Sequence, residues 1–267
     1  MSFQPILPMT GYVGWRFLQR TLDTQQATFN ASAPVKRATE HFREKIGSIR
    51  TAEDLVKDRE LLRVALGAFG LDEDINNTYF IKRVLSDGTT SSDALSSKLS
   101  DKRYAAFARA FGFGEGELPR TGLTFFADKI TKLYEKKQFE VAVGNQDNDL
   151  RSALNLSGSL KEIMAGATSN NARWFQIMGN PPVRAVFETA LSLPKAMASL
   201  DLDQQLDIFK SRAQATFGTD AVGDIATSAQ EEKLIRLFLI RSEANASAAT
   251  SAGSVALTLL QNAPRLF

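Results

Sequence analysis

The chain has 267 residues, of which 32 are Lys or Arg and 30 are Asp or Glu, for a formal net charge of +2. It holds one histidine, His41, and no cysteine. Disulfides, thiolate nucleophiles, zinc ribbons, cysteine-ligated iron–sulfur clusters and two-histidine metal sites within one chain are therefore excluded.

Apolar residues make up 43% and charged residues 23%, the balance of a globular protein long enough to bury a sizeable core. The small positive excess is no nucleic-acid footprint. The densest basic piece, 132–137, also contains Glu135. No apolar stretch reaches the roughly 18 residues that span a bilayer. Residues 1–9 have neither the charged start nor the long apolar middle of a secretory signal. A cytoplasmic protein without a membrane span is expected.

In chain order, the hydrophobic period is helical. Over residues 11–29, Trp15, Leu18, Leu22 and Phe29 recur at intervals of 3, 4 and 7, one stripe of an amphipathic helix interrupted by Gln25. Pro34 opens a second helix and Gly47 closes it. Thr51, followed by Glu53 and Asp54, caps a helix that carries Leu55, Leu62, Leu66 and Phe69 and stops at Gly70. Asp72 starts the next, with Ile75, Tyr79, Ile81, Val84 and Leu85, ending at Gly88. Residues 86–93 (SDGTTSSD) form a polar loop.

Ser100 is the expected cap of a helix bearing Tyr104, Phe107 and Phe111. Residues 112–122 (GFGEGELPRTG), with four glycines and Pro119, make the strongest internal break. A long helix follows over 123–143, then shorter helices over 147–214 punctuated by Gly158, Gly166, Gly179, Pro181, Pro182 and Pro194. Residues 230–242 form a strong helix. In the tail, 244–267, Arg265 is the sole charged side chain, and poor order is expected unless a partner or the body holds it.

A weak internal repeat is visible. Residues 61–71 (LLRVALGAFGL) parallel 182–193 (PVRAVFETALSL), with Arg63 against Arg184. Duplication and chance similarity between amphipathic helices both account for it.

No motif carries recognisable chemistry. GFGEG at 112–116 lacks the preceding strand and the G-x-G-x-x-G spacing of a phosphate loop. His41 has no second ligand and no serine elbow beside it. Asp201 and Asp203 read as a helix entry, since carboxylates favour free helical amides. Residues 170–182 (NNARWFQIMGNPP) form an apolar cluster around Trp174, Phe175 and Met178, either core or a docking knob, with core preferred because large aromatics dominate cores. The Trp15, Leu18, Leu22 and Phe29 stripe is the candidate partner-binding surface, and it either packs on its own body or zips with another chain.

Residues 12–21 (YVGWRFLQRT), 42–46 (FREKI), 52–71 (AEDLVKDRELLRVALGAFGL), 101–104 (DKRY), 110–113 (AFGF), 138–144 (QFEVAVG), 181–193 (PPVRAVFETALSL), 200–205 (LDLDQQ) and 238–241 (FLIR) resemble a bacterial domain family of unknown function. The resemblance spans nearly all of residues 10–242. It implies a multihelical fold and an association with flagellar genes. It supplies no activity and no catalytic residues, and the chain lacks the usual N-terminal pattern of flagellar axial proteins.

The expected architecture is all-α: an N-terminal amphipathic helix (1–33), a multihelical body (34–243) with two lobes meeting near 112–122, and a partly disordered small-residue tail (244–267). The expected function is a non-enzymatic, protein-binding accessory factor of flagellar assembly, export or motility. It would have no cofactor and no metal, and would associate with flagellar components. A structural or exported flagellar subunit and a carboxylate-based enzyme are the alternatives.

Overall fold

The computed structural model describes the backbone of residues 3–261 and the side chains of residues 3–248. Among these residues the fold is all-α, with fourteen α-helices, three short 3-10 turns and no strand. The chain divides into two compact units. The first comprises Met1–Leu7 and Phe17–Asn148, the second Pro8–Arg16 and Asp149–Phe267.

Helix α1 (Gly11–Asn30) crosses that division in sequence, and α2 (Ala33–Lys45) follows with Pro34 in its first turn, where a missing N–H costs nothing. The single helix expected from Thr51 to Gly70 is two, α3 (Ala52–Lys57) and α4 (Arg59–Ala68). The break falls at Asp58, whose extended backbone turns its carboxylate onto the amides of Glu60 and Leu61, both at 3.0 Å. A capping carboxylate thus starts a new helix within a pattern that reads as continuous.

The helix expected from Asp72 is a 3-10 turn, Asp72–Asn76, followed by α5 (Thr78–Asp87). The polar loop is followed by a one-turn helix, α6 (Leu95–Lys98). The next, α7 (Arg103–Phe111), is not capped by Ser100. Lys102 holds the N-cap position without a side-chain cap, and Asp101 before it accepts the Arg103 amide at 3.0 Å. Helix α8 (Phe126–Gly144) completes the first unit and packs back on α4 and α2. Residues 112–122, expected as a lobe boundary, therefore lie inside this unit. Helix α4 is buried on nearly every side, and Phe111 makes edge contacts with Phe107 and Phe126, both at 5.1 Å.

The second unit holds α9 (Asn148–Gly166, from Asp149 onward), α10 (Asn170–Met178), α11 (Pro181–Ala190), α12 (Leu202–Phe217), α13 (Val222–Ile225) and α14 (Ser228–Gln261). Helices α11 and α14 form its main pair. Trp174 sits fully buried, edge-on to Phe187 at 5.5 Å, with its indole N–H on the Asp220 carbonyl at 2.8 Å. Of the 170–182 cluster, Trp174 and Met178 are core, as expected, and Phe175 is half-buried. Helix α14 continues past residue 242 through 261, while 262–267 of the expected tail lie outside the described residues.

Candidate functional site

The stripe expected to offer itself to a partner faces inward. Trp15, Leu18 and Phe29 are buried and Leu22 is half-buried. In the second unit the Trp15 indole N–H meets Glu232 at 3.3 Å, and the Tyr12 hydroxyl donates to the other oxygen of the same carboxylate at 3.0 Å. In the first unit Phe29 stands edge-on to Phe139 at 5.7 Å. Of the two readings of this stripe, packing on its own chain is the one realised. The reason is that an amphipathic face beside an apolar body gains more by burial than by waiting in water.

The side chains that do stand in water are elsewhere. On the loop between α7 and α8, Leu118 is 85% exposed, Phe125 60% and Leu123 45%. This loop is firmly held. Gly112 ends α7 in the left-handed region at φ 68°. The Arg120 amide returns to the Phe111 carbonyl at 2.9 Å. Buried Thr121 donates its hydroxyl to the Ile49 carbonyl at 2.6 Å, and Glu117 accepts the Thr89 amide at 2.9 Å. A Cβ placed on Gly114 would lie 2.6 Å from the Gly88 Cα, so the two backbone segments cross at a spacing only glycines allow. Sequence reasoning marks this segment as a break. It does not show that Leu118 points outward, and it places Leu123 and Phe125 in the following helix, which instead begins at Phe126.

The carboxylates and the histidine are structurally engaged. His41 lies 3.2 Å from Asp58 across α2 and α4. Partial burial raises the Asp58 pKa, but the Leu61 amide, His41 and the Glu60 amide outweigh it, so the net shift is downward. In the shallow groove around Tyr79 and Phe80, Asp87 pairs with Arg83 at 3.2 Å and Asp93 with Lys98 at 3.0 Å. Tyr104 donates to Asp74 at 2.6 Å, and burial, then that bond, push the phenol up to about 12. Burial raises the pKa of Glu135, against nearby Arg43 and Lys132. Among the described residues no three His, Cys, Asp or Glu side chains are grouped to hold a metal ion, and no helix is long and apolar enough to cross a membrane.

A second feature missed in the sequence is Gln25. It occupies a buried position on α1 and hydrogen-bonds the main chain of residue 6 through both ends of its amide. The signal for it was a polar residue within an apolar stripe.

Comparison with curated proteins finds no match. Among solved structures, the chain is similar to the crystal structure of protein AGR_C_984 from Agrobacterium tumefaciens, at 24% identity and a TM-score of 0.70, covering 90% of this chain and 98% of that one. That likeness shows the fold. The family model described as "Protein of unknown function (DUF1217)" matches residues 68–264, most of the chain, and the protein belongs to that family.

Proposed function

We propose that the protein is a non-enzymatic, protein-binding accessory factor of flagellar assembly, export or motility, acting in the cytoplasm and docking its partner through Leu118, Leu123 and Phe125. The observation that carries the binding reading is the exposure of these three side chains on a loop pinned by Arg120, Thr121 and Glu117. Apolar side chains held out in water by a pre-ordered backbone lose little conformational freedom on docking, so more of their burial energy is available to affinity. The flagellar setting rests on the resemblance carried by the segments from residue 12 to residue 241.

The test is motility of a strain carrying Leu118→Asp and Phe125→Asp, with a deletion strain beside it. Swimming should fall to the deletion level while the purified variant keeps its helical circular dichroism. Wild-type swimming by the variant would overturn the docking role, and wild-type swimming by the deletion strain would overturn the flagellar reading. Recovery of the protein in purified basal bodies or in the medium would assign it instead as a structural or exported subunit.

A further inference from the structure

Residues 3–7 lie outside any helix and belong to the first unit. Their burial alternates: Phe3 half-buried, Gln4 exposed, Pro5 buried, Ile6 exposed, Leu7 half-buried. That is the period of extended chain, in which alternate side chains turn inward. The contacts that hold this strap are directed at its backbone. Gln25 accepts the Ile6 amide at Oε1 (2.6 Å) and returns Nε2 to the Ile6 carbonyl (3.1 Å). Gln146 donates Nε2 to the Pro5 carbonyl at 2.7 Å. The Gln25 amide is itself oriented by Thr21, whose hydroxyl receives Nε2 at 2.8 Å and donates to the Phe17 carbonyl at 3.0 Å.

Side-chain amides that read main chain, with pockets for alternate residues, are the chemistry of extended-peptide recognition. The strap fills this surface incompletely, since its inward-facing Phe3 and Leu7 are only half-buried. At Phe3 the strap meets a groove of about 650 Å³, whose walls include Phe29, Val35, Tyr134, Arg37 and Arg63. The aromatic floor suits an apolar side chain and Arg37 suits a carboxylate, while Arg63 is already paired at 3.1 Å with Glu60, which lines the same groove.

We propose that this surface binds an extended segment of a partner protein, with the pattern apolar-x-Pro-x-apolar preceded by acidic residues, and that residues 3–7 occupy it as an internal competitor. A second copy of the chain is disfavoured as the occupant. Its strap makes the same contacts as the tethered one but lacks the roughly millimolar effective concentration that tethering confers. A partner segment gains what the strap does not, a carboxylate opposite Arg37. The inference rests on the protein-binding reading but uses a different surface, so its failure leaves the role of Leu118, Leu123 and Phe125 standing.

The experiment is fluorescence anisotropy on the full chain with a labelled peptide, Glu-Glu-Phe-Gln-Pro-Ile-Leu-Pro. Phe3→Ser combined with Leu7→Ser loosens the strap and leaves Gln25 and Gln146 in place. Ile6→Pro loosens it independently by deleting the N–H that Gln25 accepts. Each loosened variant should bind the peptide about tenfold more tightly than the wild type, because the internal competitor is weakened. Methylating the peptide's isoleucine nitrogen should cost about tenfold, the scale of one lost hydrogen bond to a buried acceptor. Two results would overturn the proposal: no gain in binding by either variant while its circular dichroism stays wild-type, or equal binding of the methylated peptide. Wild-type dimers that dissociate in the Phe3→Ser/Leu7→Ser variant would assign the surface to a second copy and overturn the commitment to a partner.

Discussion

Leu18→Ala distinguishes a core stripe from a docking stripe. Leu18 is fully buried in the first unit. Truncation removes three carbons, worth about 2.4 kcal/mol in transfer at about 0.8 kcal/mol per methylene. An unrelaxed cavity raises the cost toward about 5 kcal/mol. With a urea slope of about 2 kcal/mol/M, the midpoint should fall by roughly 1–2.5 M. The probe matters, because both tryptophans, Trp15 and Trp174, belong to the second unit. Indole emission therefore reports most directly on that unit, while far-UV ellipticity reports helices of both. The shift should be seen in the ellipticity transition. As a control, Leu118→Ser on the exposed loop should stay within about 0.5 kcal/mol of wild type. A Leu18→Ala midpoint within about 0.3 M of wild type, less than about 0.6 kcal/mol, would refute the packing argument and return the stripe to a partner.

Other substitutions test separate parts of the account. Asp58→Ala removes the cap of α4 and should cost about 1 kcal/mol in urea melts. Because the Asp58 carboxyl is held below its ordinary value, its contribution is present above the unfolded pKa near 4 and is lost as pH falls through the folded one, so wild type and variant should converge in acid. Tyr104 has the opposite sign. Its pKa is raised to about 12, so its contribution is complete below about 10 and is lost as pH rises toward 12. Tyr104→Phe should therefore lose stability at neutral pH and close the gap in alkali, as read by thermal melts. Ser192 ends α11 in the left-handed region at φ 51°, while the Leu193 amide reaches back to the Glu188 carbonyl at 2.8 Å. Ser192→Gly relieves that conformation and should stabilise the second unit by about 0.5–1 kcal/mol, and an unchanged or lower indole-emission midpoint would count against it.

Much of the helical plan is legible in the residues themselves. The stripe of Trp15, Leu18, Leu22 and Phe29 places α1, and Pro34 places α2, because both signals are local. What stays hidden depends on tertiary contact. Asp58 is as acceptable inside a helix as at its start, and only its turn onto the Glu60 and Leu61 amides splits α3 from α4. Ser100 looks like the cap of α7, but the helix starts later and it is the Asp101 carboxylate that meets the Arg103 amide. Gln25 reads as a flaw in a stripe until the backbone of Ile6, 19 residues away, is set against it. Glycines mark the 112–122 loop plainly, but the outward orientation of Leu118 follows from anchors at Ile49, Thr89 and Phe111 that no local pattern encodes, and the later start of α8 at Phe126 leaves Phe125 in the loop.

The central claim is that the protein works by binding another protein through the loop between α7 and α8. Its most direct test is photo-crosslinking in cells, with p-benzoylphenylalanine in place of Leu118 and, as a control, in place of Tyr79, exposed outside that loop. Docking through this loop should give one discrete adduct, specific to position 118, whose cross-linked partner is a flagellar component by mass spectrometry. Equal, diffuse labelling from both positions, or none from position 118, would contradict it.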